Sequence, residues 1–173
     1  LRGCIDFGFK NPSAMYSIGR DKDSNYYIFD EYYETGKLQE ELNPLMLSRH
    51  LESWYPDHAE ADRLEHMRRA GLRVNEVSKD VPAGIGTVQG LLRQNRLYIH
   101  KDCVNLIFEF NFYRWREPTA SKIDKNAPEE PIKEHDHGLD AIRYALHMWE
   151  ATHRAPLEDT YVADEPMFAD IGI

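Results

Sequence analysis

Three short segments with the composition of β-strands, joined by polar turns, open the chain and place the strongest constraint on its fold. They cover residues 2–7, 14–20 and 26–33. Asn11-Pro12-Ser13 separates the first two, and a polar run over residues 21–25 separates the second from the third. Both connections have the composition of tight turns. Because turns this short join antiparallel neighbours, the sequence predicts a three-stranded antiparallel meander.

The remaining sequence predicts helices that alternate with further strands. Apolar spacing predicts helices over 38–53, 59–70, 85–94, 104–116 and 135–152, and strands over 72–77 and 96–100. This order favours an α/β fold with one mixed central sheet flanked by helices. We expect one domain over residues 1–152, with a polar loop or hairpin over 117–134, and a tail over 153–173. Since the chain begins without Met and already as a strand, we expect a fragment of a longer protein.

Composition and missing motifs narrow the possible functions. The net charge of −9 argues against a broad nucleic-acid-binding surface, although a cluster of acidic metal ligands would itself raise the acid count. The sequence contains no Walker loop, zinc-ligand pattern or Gly-x-Ser-x-Gly elbow. No apolar run approaches the roughly 18 residues of a membrane span, so no membrane partner is expected. Cys4 and Cys103 are expected to be buried, reduced thiols.

Asp6 lies inside the first apolar segment, where strands disfavour aspartate. Alternation places Cys4, Asp6 and Gly8 on one face of the strand, and Gly8 leaves room for a ligand to approach. Two interpretations stay open at this point. Asp6 either binds a metal ion, or it caps a turn or pairs with a basic neighbour.

The last predicted helix carries a polar stripe beside its apolar one. Asp136, Asp140 and Arg143 follow helical spacing, and His137 lies within side-chain reach of Asp140. An alternative is an ordinary solvated face, in which Asp136 is favoured near the helix N-terminus by the helix dipole.

Four segments together resemble one known family, the nuclease domain of phage terminase large subunits. The run from Ile5 to Gly8, followed by residues 11–14, resembles its opening strand, and residues 57–63 resemble its second acidic segment. Lys79 with Gly84-Ile85, and the run Asp136-His137-Gly138-Leu139-Asp140-Ala141-Ile142-Arg143-Tyr144, resemble its later segments. The match runs from about residue 2 to residue 150, and this last run is its most specific part.

The resemblance implies a ribonuclease H-like fold and metal-dependent cutting of concatemeric double-stranded DNA during viral genome packaging. By position it implies that Asp6, Asp57 and Asp140 are the metal carboxylates, with Asp136 and His137 as supporting residues near the site. Because hard oxygen ligands suit Mg²⁺ or Mn²⁺, we expect two such ions, with Asp136 as a further ligand and His137 orienting the water or the phosphate. It also implies an ATPase domain outside this chain, a small terminase subunit and a portal protein as partners, and the cytoplasm of an infected bacterial host as the location.

One departure from the family concerns the second acidic residue. The family normally has an apolar strand directly before it, whereas here Trp54-Tyr55-Pro56 runs straight into Asp57 and leaves no room for that strand. Either that strand is built differently, or a short piece is missing between Pro56 and Asp57. Glu60 and Asp62 are therefore alternatives to Asp57.

Two other classes of function stay open on the sequence. One is another ribonuclease H-like nuclease, of the junction resolvase or transposase type. The other is a non-catalytic docking module whose acidic residues are surface charge. Basic residues cluster around Arg63–Arg69, around Arg93–Lys101 and around the 117–134 segment, and the last cluster is a candidate contact to a phosphate backbone.

Overall fold

The predicted meander is present. The computed structural model describes residues 1–57, 61–78, 80–114, 131–132 and 134–153. Its first three strands are β1 (Arg2–Asp6), β2 (Ser13–Arg20) and β3 (Tyr26–Glu34). Both β1 and β3 pair antiparallel with β2, and Asp6 lies opposite Ala14 at the end of the β1–β2 ladder.

Two further strands make the sheet mixed. The strand β4 (Trp54–Pro56) pairs parallel with β1, and β5 (Leu97–Ile99) pairs parallel with β3. The strand order across the sheet is β4-β1-β2-β3-β5. The predicted α/β fold with one mixed sheet is therefore confirmed.

Helices cover both faces of the sheet. In chain order they are α1 (Gln39–Ser48), α2 (Ala61–Arg69), α3 (Val81–Arg93), α4 (Val104–Phe112) and α5 (His137–Ala151). Because neighbouring strand residues point to opposite faces, Cys4 joins the core formed with α3, α4 and α5, while Ile5 joins the core formed with α1 and α2. Asp6 follows Cys4 by two residues and points to the same face of the sheet, so it lies on the side of α5.

The expectation that no strand precedes Asp57 is wrong. The helix α1 ends at Ser48, His50 adopts a left-handed conformation (φ 51°), and β4 follows. The neighbouring strand admits β4 because Gly3 has no side chain, since a Cβ at Gly3 would collide with the Trp54 indole. The strand therefore leads directly into Asp57, which favours the first alternative, a strand that is built differently, over a missing piece.

Other boundaries also differ from the predictions. Instead of a strand over 72–77, Val74 makes one isolated bridge to Trp54. The helix α3 begins earlier than residue 85 because the Asp80 carboxylate accepts a hydrogen bond from the Ala83 amide at 2.9 Å and caps its start. The helix α4 ends at Phe112 and not at the predicted residue 116, and the backbone of Tyr113 after it is extended.

Several predictions fall outside the described residues. They include those on Glu60, Lys79, most of the 117–134 segment and the tail beyond residue 153. Within the described residues, Cys4 and Cys103 are buried free thiols, as expected. Among those residues, no helix is both long and apolar enough to cross a membrane.

Candidate active site

The first two predicted acids lie at the ends of neighbouring parallel strands. Asp6 is the last residue of β1, and Asp57 follows β4 directly. The Asp57 amide donates a hydrogen bond to the Ile5 carbonyl at 2.8 Å, which extends the β1–β4 pairing to this point. The carboxyl ends of adjacent parallel strands are a common place for a site in α/β sheets. Two acids 51 positions apart in sequence are thereby brought side by side.

The helix α5 brings His137 to the same place. His137 Nδ1 lies 2.9 Å from Asp6 Oδ2. An ionised carboxylate can only accept a hydrogen bond, so Nδ1 carries the proton and donates it. This hydrogen bond raises the pKa of His137 against the lowering effect of burial. The side chain is thereby fixed by Asp6, and Nε2 is its remaining ring nitrogen.

Asp6 is held in an unfavourable electrostatic environment. Burial raises its pKa from 3.8 to about 6, although the hydrogen bond from His137 lowers it. The charges of Asp57 and of Asp140 raise it further. Asp57 and Asp140, the other two predicted metal ligands, therefore both lie within electrostatic reach of Asp6.

Asp140 is paired with a buried arginine on its own helix. Its Oδ1 accepts hydrogen bonds from Arg143 at 2.8 and 3.3 Å, and Arg143 is only 3% exposed. Burial would lower the pKa of Arg143, but Asp140 raises it overall. The arginine has room because the nearby residue of α3 is Gly84, where a Cβ would lie 2.7 Å from Arg143 Cγ. Since Asp136 and Arg143 are both buried, the solvated-face alternative is wrong for them.

An open cleft of about 940 Å³ lies beside this group. Its walls come from the β1–β2 turn, the end of β3 and the start of α5, and its lining residues are Asn11, Pro12, Tyr33, Glu34, Thr35, Glu134, His135, Asp136, His137 and Asp140. Asp62, one of the alternatives to Asp57, lines a separate cleft with Phe9 and Arg63.

The donor set fits a hard divalent cation by its chemistry. Carboxylate oxygens suit Mg²⁺ and Mn²⁺, and the repulsion that raises the pKa of Asp6 is what a cation would relieve. As the side chains stand, Asp6 is bonded to His137 and Asp140 to Arg143. In the part of the chain that the structure describes, no group of three His, Cys, Asp or Glu side chains is placed to hold a metal ion.

Two polar residues beside the site were missed by the sequence analysis. Glu109 of α4 is 1% exposed and binds the start of α5, and Tyr33 of β3 donates a hydrogen bond to it. The available signal was a lone acid within the apolar run Val104–Phe112, where the spacing by itself predicts only an amphipathic helix.

Comparison with known proteins decides the family. The family described as the terminase RNase H-like domain matches residues 6–148, which is most of the chain and includes Asp6, Asp57 and Asp140. The chain belongs to this family. The predicted resemblance and its ribonuclease H-like fold are therefore confirmed.

Among relatives, the chain is similar to the large terminase subunit of Escherichia phage T5, with 22% identity over 151 residues. That alignment covers 83% of this chain and 34% of the phage T5 protein, so the chain spans about a third of this curated relative.

Two solved structures show the same fold. The large terminase of the thermophilic bacteriophage D6E matches with a TM-score of 0.76 and 22% identity, over 85% of this chain and 38% of that one. The large terminase nuclease domain of bacteriophage SPP1 with bound Mn matches with a TM-score of 0.67 and 20% identity. This second match covers 85% of each chain.

Proposed function

We propose that this domain is the metal-dependent endonuclease of a viral terminase large subunit, cutting concatemeric double-stranded DNA during genome packaging. The observation that carries the proposal is the convergence of Asp6, Asp57, Asp140 and His137 at one end of the sheet, in a chain of the terminase RNase H-like family. The bound Mn in the related SPP1 nuclease domain supports Mn²⁺ or Mg²⁺ as the cofactor.

In this proposal Asp6, Asp57 and Asp140 hold the cation or cations, with Asp136 as a further ligand. Bound divalent ions would supply Lewis-acid activation of water and stabilisation of the leaving 3′ oxygen. The residues of the chain provide orientation. Asp6 fixes the ring of His137 through Nδ1, which leaves Nε2 to hydrogen-bond a phosphate oxygen or the attacking water. Arg143 neutralises Asp140 when no cation is bound.

Cleavage of linear duplex DNA by the 173-residue chain tests this proposal. With millimolar Mn²⁺ or Mg²⁺ we expect cleavage that EDTA abolishes. We expect Asp6→Asn to be inactive while it keeps the native circular dichroism spectrum, because asparagine keeps the shape and loses the charge. Glu52→Gln is a matched control, since Glu52 is an exposed carboxylate that pairs with the chain terminus. Cutting by Asp6→Asn at the wild-type rate would exclude the proposed site.

Two further measurements separate the alternative functions. A four-way junction cut in preference to linear duplex would favour a junction resolvase type. For a docking module, Mn²⁺ would leave the melting temperature unchanged, whereas a site that binds the native state raises it. We expect the wild-type melting temperature to rise with Mn²⁺ and that of Asp6→Asn to rise less.

The wider assignment is part of the same proposal. The nuclease domain would cover residues 1–152, with residues 153–173 as a tail. An ATPase domain beyond this chain would move the DNA, and the small terminase subunit and the portal protein would be partners. This work would take place in the cytoplasm of the infected bacterial host.

A further inference from the structure

The helix α5 starts with a cap that comes from another element. Asp136 occupies its N-cap position but makes no side-chain capping hydrogen bond. Instead, Glu109 of α4 accepts a hydrogen bond from the Leu139 amide at 2.9 Å. A carboxylate at this end satisfies amides that have no partner within the helix and interacts favourably with the helix dipole.

A residue of the sheet also binds Glu109. The Tyr33 hydroxyl donates a hydrogen bond to its Oε1 at 2.8 Å, so one carboxylate joins β3, α4 and α5. The first turn of α5 also approaches the sheet closely at Gly138, where a Cβ would collide with the Tyr16 hydroxyl and lie 3.0 Å from Glu109 Oε2. The carboxylate and this close approach together fix the start of the helix.

That first turn carries the α5 part of the candidate site. His137 is the first residue of α5, and Asp140 lies in its first turn. The hydrogen bond between His137 and Asp6 joins α5 to β1, so it depends on where the helix begins. A small displacement of reacting groups can lower the rate of a reaction strongly.

We propose that Glu109, held by Tyr33, is a positioning residue that sets His137 and Asp140 against Asp6 for the proposed nuclease reaction. This inference rests on the proposed function. Glu109 binds Tyr33 and the Leu139 amide, and it acts on the chemistry through the helix it anchors.

The chain offers a matched control at the other end of the same helix. The Tyr26 hydroxyl donates to Glu150 Oε1 at 2.9 Å, so Tyr26→Phe removes a tyrosine–glutamate hydrogen bond of the same kind. Glu150 lies near the C-terminal end of α5, away from His137 and Asp140. We therefore compare Tyr33→Phe with Tyr26→Phe, and Glu109→Leu with Glu109→Gln.

The experiment measures kcat and KM on linear duplex DNA with Mn²⁺, together with the melting temperature with and without Mn²⁺. For Glu109→Leu we expect kcat to fall by about tenfold or more, with KM changed by less than about threefold, because orientation and not DNA binding is lost. We expect a smaller Mn²⁺-induced rise in its melting temperature. Glu109→Gln should recover most of kcat, since its amide oxygen can accept from Leu139 and its amide group can donate to Tyr33.

The two tyrosine variants distinguish positioning from general destabilisation. We expect both to melt at similarly lowered temperatures, but only Tyr33→Phe to lose kcat, by about threefold or more. If Glu109→Leu does not fold, the comparison of Tyr33→Phe with Tyr26→Phe still tests the proposal. Equal kcat losses in the two variants, or wild-type kcat in Tyr33→Phe, would overturn the positioning role. An inactive wild-type chain removes the proposed function and this inference together, whereas an active wild type with unchanged variants removes this inference alone.

Discussion

The polar groups at the two ends of α5 differ in their balance of charge. At the C-terminal end, Glu150 accepts hydrogen bonds from Tyr26 and Arg96, and the Arg2 guanidinium lies 4.4 Å from the Trp149 ring centre. Each acceptor there meets a donor. At the N-terminal end, the charges of Asp57 and Asp140 raise the pKa of Asp6.

The comparison shows that unfavourable charge is retained at the N-terminal end of α5. The C-terminal end contributes stability, because Glu150 forms an ion pair with Arg96 and accepts a hydrogen bond from Tyr26. The N-terminal end keeps carboxylates together although they repel, which is the trade between stability and activity seen at functional sites. The cleft of about 940 Å³ lies at the N-terminal end.

The largest expected contrast comes from removing one carboxylate at each end. Asp6→Asn should lower the cleavage rate on the order of 10³-fold or more, because it removes a proposed metal ligand. Glu150→Gln should leave the rate within about twofold, since it acts only on folding stability. Single-turnover cleavage with Mn²⁺ checks both, and a comparable loss in Glu150→Gln would break the comparison.

Removing the buried cation beside Asp140 should lower the free energy of unfolding. Arg143→Met leaves the Asp140 carboxylate without its guanidinium, and we expect a loss of roughly 3 kcal/mol. Glu150→Gln should cost only about 1 kcal/mol, because Arg96 keeps its hydrogen bonds to the Ser24 carbonyl. Urea denaturation in EDTA measures both. Equal losses would mean that the two ends are held alike.

The pH dependence of stability in EDTA should differ between wild type and Asp6→Asn. The pKa of Asp6 is raised from 3.8 to about 6, so the folded state binds protons more tightly than the unfolded state. Asp6 therefore lowers the free energy of unfolding by roughly 2–3 kcal/mol above about pH 6, and this unfavourable contribution is absent below about pH 4.

The raised pKa of His137 acts in the same direction, since its stabilisation is present below its unfolded pKa and is lost as the pH rises. Asp6→Asn should therefore be the more stable protein at pH 7, and the gap should close as the pH falls towards 4. A gap that widens on acidification would contradict this account of the N-terminal end.

The last contrast uses two helical glycines. Gly138→Ala places a methyl group against the Tyr16 hydroxyl, and we expect a loss of roughly 1–3 kcal/mol together with slower cleavage. Gly90→Ala in α3 meets nothing within 4 Å, and should stabilise the protein by roughly 0.5–1 kcal/mol without changing the rate. Thermal melting and cleavage of both variants show whether the close approach at the start of α5 matters.

The sequence predicted the elements that local patterns specify. Alternation and short turns identified β1, β2 and β3, and the position of Asp6 within an apolar strand marked the candidate site. The strand β4 was missed because three residues carry too little periodicity, and its place depends on the absence of a side chain at Gly3. Asp57 could be named by resemblance, but its place beside Asp6 follows from pairing between distant segments.

The cap of α5 could not be predicted for a related reason. An N-cap is usually sought in the residues just before a helix, and Asp136 stands there without making the capping bond. The carboxylate that does so comes from Glu109, and it is supported by Tyr33. Contacts of this kind are set by tertiary packing, which no local pattern in α4 reveals.

The pairing of β4 with β1 has a consequence for tolerance to insertions and deletions. The segment over residues 49–51 joins α1 to the residues that begin to pair with the first strand, so a change of length there can be absorbed before that pairing begins. A one-residue shift within Trp54–Pro56 would instead turn the following carboxylate to the opposite face of the sheet. Variation in loop length and variation in strand register, though only a few positions apart, should therefore have very different effects on the candidate site.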